Sequence, residues 1–117
     1  MSIQQIPTHL LQNPEWQAAL LLLANTSLKQ FFTTEYVNLK EETIDWPKLL
    51  SAATSHGNHC LAELAAHLFN VWRYPKFPGE EIYMLDYDNK KYALLAIMVR
   101  HGVRPADVAS LVKTEAI

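Results

Sequence analysis

The chain has 117 residues, of which 50% are hydrophobic and 19% are charged, and its formal net charge at pH 7 is −2. A chain of this length forms one domain (1–117), and its apolar content excludes intrinsic disorder. The slight negative charge gives no general attraction to nucleic acid or to anionic lipid. A lone cysteine, Cys60, excludes an intrachain disulfide and favours a reducing compartment.

The N-terminal residues 1–16 contain neither a basic leader nor an apolar core of signal-peptide length. The longest apolar runs, Ala18–Ala24 and Ala93–Val99, are about a third as long as a bilayer span requires. We therefore expect a cytoplasmic protein that does not associate with a membrane.

A first helix is predicted from Glu15 to Ala24. Asn13 suits the N-cap position, and Pro14 suits the first helical position, where a missing N–H costs nothing. From Ala18 onwards the helix is apolar on all sides, which places it either in the core or against another chain. The core is the preferred interpretation, and self-association or a partner contact through this apolar first helix is the alternative.

The segment after the first helix combines helical and strand signals. Ser27 and Gln30 match a capping box, in which each side chain satisfies a free backbone N–H. Five apolar residues then keep helical spacing: Leu28, Phe31, Phe32, Tyr36 and Leu39. The sequence FFTTEYV in the same segment is rich in strand-forming residues. We predict a helix there and keep a strand as the alternative.

A short helix is predicted over WPKLLSAAT. Asp45 precedes it as an N-cap, and Pro47 lies in its first turn, where proline is tolerated. The helix should end near Gly57.

The stretch Asn58–Trp72 predicts the central helix of the fold. Its apolar residues recur at helical spacing and form one stripe: Leu61, Leu64, Ala65, Leu68, Phe69 and Trp72. The opposite face carries a second set: His59, Glu63, Ala66 and Asn70. We expect the stripe to be buried and the opposite face to be exposed, with the helix starting at Asn58 or at Ser55.

Arg73–Glu81 is predicted to be a loop because it contains two prolines and a glycine. Ile82–Leu85 is compatible with a strand or with a helical turn. A further helix, Asn89–His101, should be capped by Asp88 and should end at Gly102. The elements together predict an all-α fold, a compact bundle of five or six helices around the central helix.

Potential metal ligands are concentrated around the start of the central helix: His56, His59, Cys60, Glu63 and His67. His59, Glu63 and His67 are four residues apart, so neighbouring pairs could bind a zinc or iron ion from one face. A rise of about 12 Å between the outer histidines argues against all three binding one ion. The site therefore carries only a third-ranked function, a metal-binding protein or hydrolase, and we expect no cofactor.

Cys60 is a candidate nucleophile because the first turn of a helix favours the thiolate. No protease or hydrolase signature surrounds it, so a buried, unreactive cysteine is the preferred interpretation. We expect no catalytic residue, and the sequence leans towards a protein that is not an enzyme.

The segment Tyr92–Lys113 has the spacing of a DNA-binding helix-turn-helix, with a last short helix after Arg104. Arg100, Arg104 and Lys113 could contact phosphate groups. Met98, however, occupies a position where this motif usually has a small residue, and the second helix is poor in base-reading side chains. A DNA-binding regulator is therefore the alternative function.

Aromatic and basic residues are interleaved in the loop after the central helix: Arg73, Tyr74, Lys76 and Phe77. Such residues on an exposed loop are typical of protein-interface anchors. The alternative is that they fold back over the open end of the bundle. The first-ranked function is a small, non-enzymatic interaction or regulatory protein whose partner-binding residues are these four.

Three stretches carry a resemblance to known proteins: Leu49-Leu50-Ser51, LAELAAHLFN and LDYDNKKYALLAIMVRHG. Together they resemble small, uncharacterised helical proteins of Gram-positive bacteria and their prophages, over roughly Trp46–Gly102. The resemblance implies a helical fold, and it implies no activity, cofactor or site residue.

Overall fold

A computed structural model of the chain describes residues 6–104 and 106. Its elements follow the order α1 (Thr8–Leu11), α2 (Pro14–Asn25), a 3₁₀ helix (Ser27–Phe31), β1 (Val37–Asn38), β2 (Thr43–Ile44), α3 (Trp46–Ala52), α4 (His56–Phe69), α5 (Gly79–Ile82) and α6 (Tyr87–Arg100). The two strands form one antiparallel hairpin. The predicted all-α bundle is confirmed. Among the described residues, no helix is both long enough and apolar enough to cross a membrane.

The first predicted helix is present as α2, which packs against both α4 and α6. The Asn13 side chain accepts hydrogen bonds from the backbone N–H groups of Glu15 and Trp16, as its predicted capping role requires. The apolar run is in the core, where Ala18 and Leu22 are completely buried. The core interpretation therefore accounts for this apolar run, and self-association through the helix stays a prediction.

The central helix is α4, and the prediction is confirmed with shifted ends. Ser55 is the N-cap, and its hydroxyl accepts a hydrogen bond from the Asn58 N–H. The apolar stripe is buried from Leu61 to Leu68, and Phe69 is partly buried. Trp72 is 94% exposed, because the backbone leaves the helix at Asn70. Ala66 also differs from the prediction: it is 1% exposed, since the following loop lies over this face of α4.

The helix predicted after α2 is wrong. The chain forms the short 3₁₀ helix and then the hairpin, in which Val37 pairs with Ile44. Thr26, not Ser27, is the cap, because its hydroxyl accepts a hydrogen bond from the Leu28 N–H. The short helix followed by a strand buries both Leu28 and Val37 completely. A longer helix could also bury apolar residues at this spacing, so the spacing alone did not distinguish the two structures.

Asp45 caps α3 as predicted, and its carboxylate accepts a hydrogen bond from the Lys48 N–H. The helix ends at Ala52, short of Gly57. The predicted loop is also shorter, because α5 begins at Gly79, directly after Pro78. Ile82–Leu85, for which both a strand and a helical turn were considered, forms a helical turn: the Leu85 N–H donates to the Ile82 carbonyl.

The helix α6 is capped by Asp86, whose carboxylate accepts a hydrogen bond from the Asn89 N–H, and not by Asp88 as predicted. It ends at Arg100 with His101 as the C-cap, and Gly102, the predicted stop, follows with a φ of +76°, a conformation that suits glycine. The predicted last helix, which includes Lys113, lies outside the described residues.

Candidate functional site

The loop after α4 folds back along that helix and encloses a groove of about 230 Å³ between the loop, α4 and α3. We call it the α4–loop groove. Its lining residues are Leu50, His59, Glu63, Ala66, Arg73, Tyr74, Pro75 and Lys76. The exposed atoms of its walls are almost all apolar. Two clusters that the sequence presents separately, the His/Glu face and the aromatic–basic loop, thus form one surface.

Hydrogen bonds fix the start of the loop against the end of α4. The Asn70 side chain accepts from the Arg73 N–H at 3.2 Å, and the Asn70 carbonyl accepts from the Tyr74 N–H at 2.9 Å. The Tyr74 carbonyl lies 2.9 Å from Nδ1 of His67, which donates to it, since a carbonyl can only accept. The groove therefore has a wall of fixed backbone.

Aromatic packing holds the Tyr74 ring in the wall of the groove. The ring is partly buried, and its centroid lies 6.4 Å from that of Trp46 in the core. The guanidinium of Arg73 lies 5.2 Å from the centroid of the same ring. This cation–π contact orients the Arg73 side chain while it remains exposed to solvent.

Charged side chains form the rim of the groove. Nζ of Lys76 lies 3.2 Å from Oε2 of Glu63, and Nε2 of His59 lies 3.7 Å from the same oxygen. The Glu63 side chain is 17% exposed, so its charge is partly shielded from water and is balanced by Lys76. Arg73 has no carboxylate partner in the described part of the chain, which leaves the rim with an excess of positive charge.

The three proposed metal ligands do not converge. His59 Nδ1 is 3.2 Å from the Ala53 carbonyl, and His67 points towards the loop, where its ring packs against Phe77. Between them, Glu63 is occupied by a lysine ammonium group, which repels a metal cation. Within residues 6–104, no group of three or more His, Cys, Asp or Glu side chains is arranged to hold a metal ion. The third-ranked alternative, a metal site built from His59, Glu63 and His67, therefore gains no support from the geometry of the described residues.

Cys60 is 2% exposed, and it faces the core and not the groove. Burial, together with the nearby carboxylates of Glu81 and Glu63, raises the pKa of its thiol to about 11. The side chain is therefore a neutral thiol at physiological pH. The helix-dipole effect that would have favoured a thiolate nucleophile is outweighed by desolvation.

The loop residues do not all serve the groove. Arg73, Tyr74 and Lys76 line it, whereas Phe77 packs against His67 outside the lining. Leu50 and Ala66 line the groove but were not predicted as site residues. Ala66 could have been identified from the sequence, because a small residue between polar residues on one helix face leaves room for a groove. Leu50 carried none, since its neighbour Leu49 has the same chemistry and is buried in the core.

The basic residues of the proposed helix-turn-helix are differently placed. Nε of Arg100 donates to the Leu68 carbonyl at 2.8 Å, and its Nη2 is 3.9 Å from a carboxylate oxygen of Glu15. Arg100 therefore connects α6 to α4 through its guanidinium group. Arg104 is exposed, and Lys113 lies outside the described residues. DNA binding stays a prediction.

A second, polar concavity lies where the 3₁₀ helix meets α6. The Ser27 hydroxyl donates to the Asn58 side chain, and the Ser27 N–H donates to Oδ1 of Asn89 at 3.1 Å. Because these bonds join the ends of three helices and satisfy each other, their role in the fold is structural.

The sequence matches no protein-family model and no curated protein, and the fold matches no solved structure. The resemblance to small helical proteins of Gram-positive bacteria and their prophages stays a prediction.

Proposed function

We propose that this chain is a small interaction or regulatory protein that binds a protein partner through the α4–loop groove. The observation that carries the proposal is an apolar groove bordered by charged side chains on a fixed loop. Apolar surface surrounded by polar residues is the usual anatomy of a protein-binding site, and arginine and tyrosine are common anchors there. Arg73, Tyr74 and Lys76 would make the direct contacts, with Phe77 at the edge.

The polar groups around the groove suit binding better than catalysis. Glu63 is paired with Lys76, His67 is held by a backbone carbonyl, and Cys60 is buried as a neutral thiol. A general acid or base needs a polar atom directed at the substrate, and these atoms are directed at the protein itself. A reduced, buried cysteine also agrees with action in the cytoplasm.

The test is partner capture from the native host with a variant that alters only the wall of the groove. Leu50→Glu places a carboxylate on a partly exposed wall position of α3. Because Leu50 also packs against the edge of the core, we expect this variant to fold with somewhat lower stability than the wild type. Tyr74→Ala is unsuitable, because it also removes packing against Trp46. The matched control is Lys91→Glu, an exposed residue of α6 outside the groove.

We expect one protein to be retained by the wild type and by Lys91→Glu, and to be lost with Leu50→Glu. The Kd of the purified pair, measured by calorimetry, should rise at least 10-fold in Leu50→Glu. Equal Kd values for all three proteins would contradict the proposal, because binding would then take place elsewhere. Circular dichroism and urea unfolding show whether each variant is folded.

A further inference from the structure

We infer that the occupant of the α4–loop groove is an acidic peptide segment of the partner, with one apolar side chain in the groove and flanking Asp or Glu on its rim. This inference rests on the proposed function and adds the chemistry of the partner. It follows from the size of the groove and from the charges around it.

The size of the groove favours a side chain over a small-molecule ligand. Its volume of about 230 Å³ is below the range of about 300–1,000 Å³ that is usual for small-molecule sites. The walls offer almost no polar atoms to orient a polar ligand. One aliphatic or aromatic side chain of a peptide suits both the small volume and the apolar walls, because it buries apolar surface and needs no hydrogen bonds.

The charges favour acidic residues beside that side chain. Arg73 is exposed, is oriented by the Tyr74 ring and has no carboxylate partner in the described part of the chain. An arginine held in this way can bind a carboxylate through two parallel hydrogen bonds. Glu63 is the one carboxylate among the lining residues, and Lys76 already balances its charge. The rim therefore attracts a negative segment and disfavours a basic one.

A nucleic acid would use the same cations but fits the surface less well. Phosphate recognition depends on many basic residues, whereas this groove offers Arg73 and Lys76 on an apolar surface of a chain with a net charge of −2. A peptide uses both the apolar walls and the positive rim.

The experiment is selection of a random 12-residue peptide display library on the wild-type protein, with Lys91→Glu as control. Enriched peptides should contain an apolar residue with Asp or Glu within two positions. The Kd of the best peptide, measured by fluorescence anisotropy, should rise about 10-fold in Arg73→Glu and should be unchanged within about twofold in Lys91→Glu. Replacing its acidic residues by lysine should weaken binding to the wild type and restore binding to Arg73→Glu.

The outcomes separate the two proposals. Neutral or basic peptides that bind Leu50→Glu more weakly than the wild type would overturn the inference that the bound segment is acidic. The groove would then still be the binding site. Recovery of no peptide that depends on Leu50 would overturn both proposals, and so would tighter binding of a single-stranded oligonucleotide than of any peptide. Should Arg73→Glu fail to fold, Arg73→Gln keeps the bulk of the side chain, and full affinity in that variant would overturn the inference.

Discussion

The ion pair between Lys76 and Glu63 should hold the loop against α4, and a double-mutant cycle measures its strength. The changes are Lys76→Met, Glu63→Gln and the two together. Methionine keeps most of the apolar stem of lysine, and glutamine keeps the shape of glutamate, so the cycle isolates the charge interaction. Because His59 is present in all four proteins, its own contact with Glu63 largely cancels.

The structure sets the expected magnitude. At the observed separation of 3.2 Å, two unit charges in bulk water attract by about 1.3 kcal/mol. The Glu63 side chain is 17% exposed, which strengthens the attraction, and Lys76 is 67% exposed, which weakens it through screening and lost side-chain entropy. Measured exposed pairs give about 0.2–1 kcal/mol, so we expect a coupling near the top of that range, about 1 kcal/mol. Lys76→Met should destabilise more than Glu63→Gln, because it leaves the partly buried carboxylate without its lysine.

Urea unfolding of the four proteins, followed by circular dichroism, gives the coupling. The pair Lys48–Glu35 is a matched control, since its atoms are 3.3 Å apart but both side chains are about half exposed. Its coupling should be below about 0.5 kcal/mol. The coupling of Lys76 and Glu63 should fall by more than half in 1 M NaCl. A coupling no larger than that of the control pair would refute the view that this contact holds the loop in place.

Three further predictions concern the stability of the fold. The pKa of Cys60 rises from 9.0 to about 11 on folding, so the folded state binds this proton more tightly and stability falls as the pH rises from about 9 to 11. The loss should reach about 3 kcal/mol, and Cys60→Ala should remove that part of the pH dependence. An identical pH profile in the variant would contradict this. Gly102→Ala should lower the free energy of unfolding by about 1 kcal/mol, because its φ is +76° while no atom lies within 4 Å of the added carbon; no change in urea unfolding would mean that α6 frays before this residue. Asn89→Ala should cost about 1–2 kcal/mol by thermal unfolding, since it frees the Ser27 N–H, and a variant as stable as the wild type would show that water replaces the bond.

Local signals in the sequence predicted the helices that have clear ends. Asn13 followed by Pro14 located the start of α2, and Asp45 located the start of α3. Gly102 located the end of α6. In each case the residues that determine the helix end are within four positions of one another, so the cap can be predicted without knowing the rest of the fold.

Two of the incorrectly predicted helix boundaries have an identifiable cause. In each case either two adjacent residues could both play the same role, or the deciding contact came from a distant part of the chain. Thr26 and Ser27 can both cap a helix, and the choice depends on Asn58, which binds Ser27 from another helix. Trp72 continued the apolar period of α4, but Asn70 ended the helix before it, because the Asn70 side chain accepts the Arg73 N–H and favours a turn.

The candidate site was predicted in pieces and not as a whole. The polar face of α4 and the basic loop were each identified from residue type and spacing. Their contact, with Lys76 against Glu63, depends on the loop reversing direction after Asn70 and packing Tyr74 against Trp46. The groove between them follows from that tertiary packing, which periodicity does not encode.

The most direct test of the central claim is an NMR titration of the ¹⁵N-labelled protein with the highest-affinity peptide from the display selection. We expect the amide signals that shift most to belong to Leu50, Ala66, Arg73, Tyr74 and Lys76. A different exposed apolar surface is available for comparison: Tyr83, Met84 and Tyr87 are each at least 75% exposed. Changes concentrated on those three residues, with the signals of the groove unshifted, would contradict peptide binding in the α4–loop groove.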